Sequence, residues 1–186
     1  RNVDGIGLLR AEFIIANIGK HPKQALKEGT SEEWTKELSD NISIFCESFG
    51  ERPVVYRLTD FKTNEYRNLK GGELFENDEN NPMMGYRGAI RYINDTDVFE
   101  LEVNAIKQVL RKYNNLIVLR SFSKSFGLPS IRVAYSICNK SLNEKILSYR
   151  LAMELPTDSI NSAIDAIKNY NTTIKKRKKQ IISARS

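Results

Sequence analysis

Three arginines beside apolar or glycine-containing runs are the first candidates for chemistry. Arg10 follows the apolar run 5–9, Arg57 lies inside the run 54–58, and Arg87 lies between two glycines. A guanidinium inside a buried run costs several kcal/mol unless it is paired, so an anion should meet Arg57. Arginine grips phosphate or carboxylate through parallel hydrogen bonds, and residues at strand ends of an α/β barrel converge. Three converging arginines would form a phosphate pocket.

The same arginines also have a simpler interpretation. Most single arginines lie at the surface or pair with a nearby acid. Glu12, Asp60 and Glu65 are close enough in sequence to serve as such partners. Composition alone therefore leaves ligand binding and internal ion pairing both open.

A second candidate centre is the serine-rich loop that contains Lys124. A lysine after a buried strand can capture a carbonyl group when burial and a nearby cation, here Arg132, depress its pKa. The hydroxyls of Ser121 and Ser123 and the guanidinium of Arg132 could together hold a dianionic phosphate. The alternative is a solvated loop with an ordinary lysine.

Residues 175–179 are five consecutive cations. Such a run is compatible with nucleic-acid binding or a nuclear address. It is also typical of the solvated face of a long helix, and few aromatic residues interleave with it to stack on bases. We do not expect nucleic-acid binding, although a non-catalytic basic interaction module stays an alternative function.

The hydrophobic pattern predicts the elements that must position these residues. Strands alternating with helices indicate the α/β class. The predicted order is a strand at 5–15, a helix at 31–49, a strand at 53–58, a loop at 60–83, a helix at 97–112, a buried strand at 116–119, a loop at 121–127, a strand at 131–137, a helix from 141 to about 151 and a long helix from about 159.

Composition narrows the class of protein. The 186 residues carry 29 Lys and Arg against 23 Asp and Glu, a net charge of +6 that permits anionic ligands. No apolar run approaches the roughly 20 residues of a membrane helix, and no signal peptide is visible, so we predict a cytoplasmic protein. The two cysteines, Cys46 and Cys138, have no CxxC spacing, which predicts reduced thiols. Together with the single histidine, His21, they are too few to predict a metal site.

The arginine-bearing segments resemble a known family. The segments are DGIGLLRAEF at 4–13, IGKHP at 18–22, VYRLTDFKTNEY at 55–66 and ENNPMMGYRGA at 79–89. Together they resemble the C-terminal barrel of phosphoenolpyruvate synthase (pyruvate, water dikinase). The resemblance implies a (β/α)8 barrel over residues 1–112 that uses phosphoenolpyruvate (PEP) or pyruvate. It also implies that Arg10 and Arg57 hold the substrate and that Arg87 lies near the phosphate.

Several parts that the resemblance implies have no counterpart in the sequence. The family uses magnesium, but its Glu and Asp ligands and its proton-donor cysteine belong to later strands. Cys46 lies on the first predicted helix and does not match that cysteine. The phosphohistidine and ATP-grasp domains would precede Arg1, which is not a methionine, so we expect the chain to start inside a longer protein.

The lysine-bearing segment resembles a different family. The string SFSKSFGLPSIR at 121–132 is similar to the Schiff-base segment of fold-type-I pyridoxal-phosphate aminotransferases, in the histidinol-phosphate aminotransferase branch. The resemblance implies Lys124 as the aldimine lysine, phosphate contacts from Ser121, Ser123 and Arg132, and an amino acid or 2-oxo acid as substrate. The family's pyridine-pairing Asp, stacking aromatic and Gly-rich helix lie upstream, where this chain has barrel-like sequence.

The two resemblances together predict an unusual chain. We expect a partial (β/α)8 barrel over residues 1–112 joined to a partial pyridoxal-phosphate segment over residues 113–186. Such a chain would be transferase-derived and incomplete, with little or no turnover alone. The alternatives are an aminotransferase acting through Lys124 and the basic interaction module.

Overall fold

A short pair of parallel strands, flanked by helices, organises the first part of the chain. The computed structural model describes residues 3–113, 115–123, 126–149 and 154–183. It divides into two compact units, Arg1–Tyr113 and Asn114–Ser186. The elements of the first unit are β1 (Ile6–Arg10), α1 (Ala11–Ile18), α2 (Pro22–Glu28), α3 (Ser31–Phe49), β2 (Val54–Arg57), α4 (Thr63–Arg67), a 3₁₀ turn (Gly72–Leu74), α5 (Ala89–Asn94) and α6 (Thr96–Leu110).

Strands β1 and β2 are parallel neighbours, and α1, α2 and α3 connect them along the chain. Their register pairs Ile6 with Val54 and Arg10 with Arg57. A parallel connection of this kind is the unit from which α/β sheets and barrels are built. The predicted mixed α/β class is therefore confirmed, although the described residues form no closed barrel.

The predicted strand at 5–15 is wrong in its second half. Strand β1 ends at Arg10 and the chain turns directly into α1. Ala11, Ile14 and Ile15 are buried at helical spacing, and a left-handed Gly19 ends the helix. A continuous apolar run does not distinguish a buried strand from a buried helix. The sequence pattern therefore predicted a strand where α1 lies.

Helices α3 and α6 pack against each other and cover the strand pair, and the helices predicted at 31–49 and 97–112 correspond to them closely. Their apolar faces supply much of one core. The buried members of that core are Leu9, Ala11, Ile14, Ile15, Ala25, Trp34, Leu38, Ile42, Phe61, Tyr66, Leu69, Leu101, Ala105 and Val109.

Besides α1 and α5, two further helices in the first unit were not predicted. Helix α2 begins at Pro22, with the His21 side chain accepting from the Lys23 N–H at 3.1 Å as its N-cap. Helix α4 interrupts the segment 60–83 that was predicted as loop. Both helices are short, so their periodicity carries little signal.

The second unit contains an antiparallel strand pair and three helices within its described residues. Its elements are β3 (Val118–Ser121), a 3₁₀ turn (Pro129–Ile131), β4 (Ala134–Ile137), α7 (Lys140–Ser148), α8 (Thr157–Lys168) and α9 (Tyr170–Ser183). A small core gathers Phe122, Phe126, Val133 and Ala163.

Two predictions fail in the second unit. The strand at 116–119 was predicted as buried, yet Leu119 is 70% exposed and Val118 is also exposed. The single long helix from 159 is two helices, because the chain departs from helical geometry at Asn169. On α8, Ile160, Ile164 and Ile167 are exposed.

Cys46 and Cys138 are free thiols, and burial raises the pKa of Cys46. Among the residues that the structure describes, no helix is long and apolar enough to cross a membrane.

Candidate functional site

Arg10 and Arg57 lie side by side at the carboxyl ends of β1 and β2. Each is the last residue of its strand, and the register pairs the two directly. Neighbouring strands lie about 4.8 Å apart, so the two cationic side chains start from adjacent positions on one face. Like charges placed directly opposite each other destabilise a sheet unless an anion lies between or beside them.

Glu12 supplies part of that negative charge. It lies in the first turn of α1, two residues after β1, and its Oε1 accepts a hydrogen bond from Nη2 of Arg57. The same oxygen accepts the Asp60 backbone N–H at 3.2 Å. One carboxylate therefore ties the start of α1 to the segment that leaves β2.

Arg87 is held by Asp60 in a two-pronged ion pair. Its Nε donates to Oδ1 at 3.0 Å and its Nη2 donates to Oδ2 at 2.8 Å. The hydrogen bonds that Arg87 donates to Asp60 raise the pKa of Arg87. Glu12, Arg57, Asp60 and Arg87 form a connected group. Together with Arg10, the register partner of Arg57, we call them the strand-end site.

The loop that presents Arg87 is pinned from within. Glu79 accepts the Tyr86 backbone N–H at 2.9 Å and the Thr63 hydroxyl at 2.9 Å, which closes the loop onto α4. The Tyr86 carbonyl accepts Nη2 of the buried Arg91 at 2.8 Å. The backbone directly before Arg87 is thus fixed at both its N–H and its carbonyl group.

Gly88 allows the chain to turn directly after Arg87. Its φ of 62° and ψ of −139° form a combination that side chains other than glycine rarely adopt. A Cβ there would also approach Oδ1 of Asp60 at 3.2 Å. Glycine is therefore required where α5 begins beside the ion pair.

The strand-end site keeps binding capacity after its internal pairs are made. Nε of Arg57 and Oε2 of Glu12 are buried without a hydrogen-bond partner, and Arg57 reaches Glu12 through one nitrogen only. Arg10 is exposed, and its side chain forms no hydrogen bond or ion pair with any residue that the structure describes. Three guanidiniums against two carboxylates leave a net positive charge that suits an oxyanion.

The carboxylates here do not fit a magnesium ion. Magnesium, which the family named above typically uses, requires near-octahedral oxygen ligands. Glu12 and Asp60 are engaged by arginines, and Glu79 accepts donors from Tyr86 and Thr63. Within the described ranges, no group of three or more His, Cys, Asp or Glu could hold a metal ion.

The structure brings Ser121 and Ser123 of the second candidate centre together, whereas Arg132 contacts its own turn. Ser121 pairs with Ala134 at the end of the β3–β4 ladder, and Arg132 lies two residues before β4. The Ser121 hydroxyl accepts the Ser123 N–H at 3.0 Å, and Arg132, at φ 51°, donates to its own turn at the Pro129 carbonyl, 3.4 Å away. Lys124 lies outside the described residues.

Sequence reasoning missed two buried carboxylates near the strand-end site. Glu102 is 2% exposed and accepts from Tyr56, Thr59 and Tyr92. Glu76 is 4% exposed and pairs with both His21 and Arg91. The sequence did hold a signal for the first, because Glu102 falls on the apolar stripe of α6, four residues after Val98 and three before Ala105.

The basic run lies on α9, where Lys175, Lys176 and Lys179 are exposed. The side chains of Arg177 and Lys178 lie outside the described part of the chain. The notion of a basic interaction module stays a prediction.

Comparison with known proteins gives a consistent family. A model of the family described as PEP-utilising enzyme, PEP-binding domain, matches residues 1–155. A probable phosphoenolpyruvate synthase from Pyrococcus abyssi is 45% identical over 117 residues, covering 62% of this chain and 14% of the relative. The phosphoenolpyruvate synthase of Pseudomonas aeruginosa is 36% identical over 183 residues, covering 84% of this chain and 23% of the relative.

The Escherichia coli phosphoenolpyruvate synthase is 40% identical over 128 residues, covering 57% of this chain and 16% of the relative. The chain therefore spans about a seventh of the length of the first relatives it matches. Neither the family model nor these relatives support the resemblance of residues 113–186 to aminotransferases.

Proposed function

The chain belongs to the family of PEP-utilising enzymes, through their PEP-binding domain, and from this premise we propose that its first unit binds the phosphate of PEP. Arg10 and Arg57 would make the principal contacts, with Arg87 as a third contact. The observation that carries the proposal is the direct pairing of Arg10 with Arg57 at the ends of adjacent parallel strands. Open α/β sheets and barrels bind ligands at this edge.

The charges support a phosphate rather than a neutral ligand. An oxyanion between the two strand-end arginines would relieve the repulsion between them and supply acceptors for the free donors of Arg57. Glu12 would stay as an orienting partner, since it holds one nitrogen of Arg57 and leaves the others available. PEP offers a phosphate and a carboxylate, both of which arginine recognises through two hydrogen bonds.

The barrel fold and the overall reaction are also proposals. We propose that β1 and β2 are adjacent strands of a partial (β/α)8 barrel over residues 1–112. We propose that the longer relatives, which carry the synthase name, convert ATP, pyruvate and water to PEP. The expectation of little or no turnover by this chain alone stays a prediction, which a PEP-formation assay tests.

Calorimetry of the full chain tests the binding proposal. PEP and inorganic phosphate should give saturable heat, whereas pyruvate should bind more weakly because it lacks the phosphate. Arg57→Ala should weaken PEP binding by at least about tenfold, the loss expected for a charge-assisted bidentate contact. Arg111→Ala, an exposed arginine on the same unit, serves as the matched control and should bind PEP like the wild type.

Equal heats for Arg57→Ala and the wild type would overturn the assignment. Absence of heat for both PEP and phosphate with the folded wild-type chain would overturn the function itself.

The second unit supports a separate and narrower proposal. The Ser121 hydroxyl and the Ser123 N–H are hydrogen-bonded at the end of β3, and Arg132 lies two residues before β4, so these three residues could contribute to a small phosphate-binding site with Lys124. In the aminotransferase alternative, pyridoxal phosphate would supply the electron sink, and these residues would hold its phosphate. Residues 113–186 would then form a domain of their own.

Borohydride trapping with pyridoxal phosphate, followed by peptide mapping, tests this alternative. Lys124 should be modified in preference to the other lysines, and Lys124→Ala should abolish trapping while Lys140→Ala should not. Modification spread evenly over the lysines would rule out the aminotransferase alternative.

A further inference from the structure

A buried carboxylate stands directly behind the strand-end site. Glu102, on α6, is 2% exposed and reaches towards the end of β2. Its Oε1 accepts the Tyr56 hydroxyl at 2.7 Å, and both the backbone N–H and the hydroxyl of Thr59 at 3.1 Å. Its Oε2 accepts the Tyr92 hydroxyl from α5.

Burying a carboxylate such as that of Glu102 costs free energy. Burial raises the pKa of Glu102, against the opposing effect of the hydroxyl and backbone donors that surround it. A carboxylate taken out of water is tolerated only when its oxygens are saturated by donors, and apolar residues often replace such groups without loss of stability. Stability alone therefore does not explain why an acid stands on the apolar stripe of α6.

The position of Thr59 shows what the carboxylate controls. Thr59 lies two residues after Arg57 and directly before Asp60, the partner of Arg87. The consecutive backbone N–H groups of Thr59 and Asp60 donate to two different carboxylates, Glu102 and Glu12. The segment 57–60 is thus clamped from behind by Glu102 and from the site itself by Glu12.

We propose that Glu102 is a positioning residue for the strand-end site, one that fixes segment 57–60 so that Arg57, and Arg87 through its partner Asp60, are held ready for a phosphate. This inference rests on the proposed PEP-binding function. Tyr56 and Tyr92 complete the arrangement, because their hydroxyls hold the carboxylate in the orientation that faces Thr59.

The test compares three variants of the full chain. Glu102→Gln removes the charge and turns one oxygen into a donor. Glu100→Gln changes an exposed acid on the same helix and is the matched control. Leu101→Ala removes buried apolar contact from α6 and leaves the hydrogen bonds of segment 57–60 in place, so it reports the effect of lost stability.

Two readouts are measured below the unfolding temperature of every variant: PEP affinity by calorimetry and hydrogen exchange of the Thr59 and Asp60 amides by nuclear magnetic resonance. Glu102→Gln should weaken PEP binding by about tenfold and speed Thr59 exchange by about tenfold or more. Glu100→Gln and Leu101→Ala should keep PEP affinity within about twofold of the wild type. The affinity for inorganic phosphate should change in each variant in the same way as the affinity for PEP.

Unchanged exchange at Thr59 in Glu102→Gln, or unchanged PEP affinity alongside faster exchange, would overturn the proposal. A loss of affinity in Leu101→Ala that matches the loss in Glu102→Gln would also overturn it, because a general loss of stability would then explain both. Thr59→Val is a second variant that keeps the carboxylate and the backbone donor. It should weaken PEP binding by about threefold, and wild-type affinity in this variant counts against the proposal.

The two proposals fail in different ways. If the wild-type chain binds neither PEP nor phosphate, the proposed function falls. The exchange rates then decide separately whether Glu102 orders segment 57–60.

Discussion

Two arginines of the strand-end site are paired in different ways, and the difference separates their roles. Arg87 uses two nitrogens on Asp60, whereas Arg57 uses one nitrogen on Glu12 and keeps a buried Nε without a partner. A bidentate pair with a carboxylate is already close to the best geometry that arginine can reach. Arg57 therefore has more to gain from an incoming phosphate than Arg87 has.

This difference predicts the effect of Asp60→Asn. Neutralising Asp60 releases Arg87 and removes a negative charge beside the incoming anion. PEP affinity should rise by about three- to tenfold, and the gain should shrink in high salt. Calorimetry at two salt concentrations measures it. Weaker binding in Asp60→Asn would show instead that the carboxylate is needed to hold Arg87 in place.

The sequence revealed the arginines but not the groups that arrange them. The motifs around Arg10, Arg57 and Arg87 are long, and Glu12 and Asp60 were among the acids foreseen as partners. Their pairing within the chain is now observed, while phosphate binding stays a proposal. The contacts of Glu102 were missed because its donors come from residues 10 to 46 positions away in sequence. A local sequence pattern does not predict hydrogen bonds over such separations.

At the scale of elements, helix α2 depends on an unusual N-cap. Nδ1 of His21 accepts the Lys23 N–H, so Nε2 carries the proton and donates to Glu76 at 2.9 Å. One imidazole ring thereby begins the helix and satisfies a buried carboxylate. The ring also stacks on Phe75 and contacts Tyr66.

His21→Ala should lower the free energy of unfolding by about 2–4 kcal/mol, because both the cap and the Glu76 contact are lost. His21→Asn restores a capping oxygen and should recover about 1 kcal/mol of that loss. Urea denaturation measures both, with the exposed Lys27→Ala as control. Equal stability of the Asn and Ala variants would show that the cap contributes little.

The elements were predictable where one side of a helix is buried over several turns. Helices α3 and α6 show this pattern, and their predicted bounds fall within two residues of the observed ones. The pattern failed for α1, whose apolar run is continuous, and for Val118 and Leu119, whose exposure depends on tertiary contacts. Periodicity predicts which residues share a face, but not what packs against it.

At the scale of the whole molecule, the stability of the first unit is linked to pH through Glu76. Burial opposes ionisation of this carboxyl, but hydrogen bonds from His21 and Arg91 outweigh it and lower the pKa of Glu76. A group whose pKa is lower in the folded state stabilises that state above its unfolded pKa, about 4.3, and the stabilisation is lost as pH falls through the folded value.

Glu76→Gln should therefore lower the free energy of unfolding at pH 7 by about 3–5 kcal/mol, since Arg91 is left buried without its counter-charge. The difference from the wild type should shrink below about pH 4, where the wild-type carboxyl also becomes protonated. Denaturation curves at pH 7, 5, 4 and 3 measure this trend, with the exposed Glu73→Gln as control. A difference that is constant with pH would contradict the assigned ion pair.

The division into two units predicts that the cores can be perturbed separately. Phe122 is 1% exposed and contacts the rings of Phe126 and Tyr135 in the second unit. Phe122→Ala should destabilise that unit by about 3–5 kcal/mol. PEP affinity should not change, because every residue of the strand-end site lies in Arg1–Tyr113. Parallel loss of affinity would show that the site needs the second unit.

The central claim is that the geometry of two strand-end guanidiniums, and not merely positive charge, holds a phosphate. Titration of PEP followed by phosphorus nuclear magnetic resonance, with the wild type and the charge-conserving variants Arg10→Lys and Arg57→Lys, tests it most directly. We expect saturable shifts of the phosphate resonance for the wild type and an affinity at least about tenfold lower for Arg57→Lys. Equal affinities for Arg57→Lys and the wild type would contradict the claim.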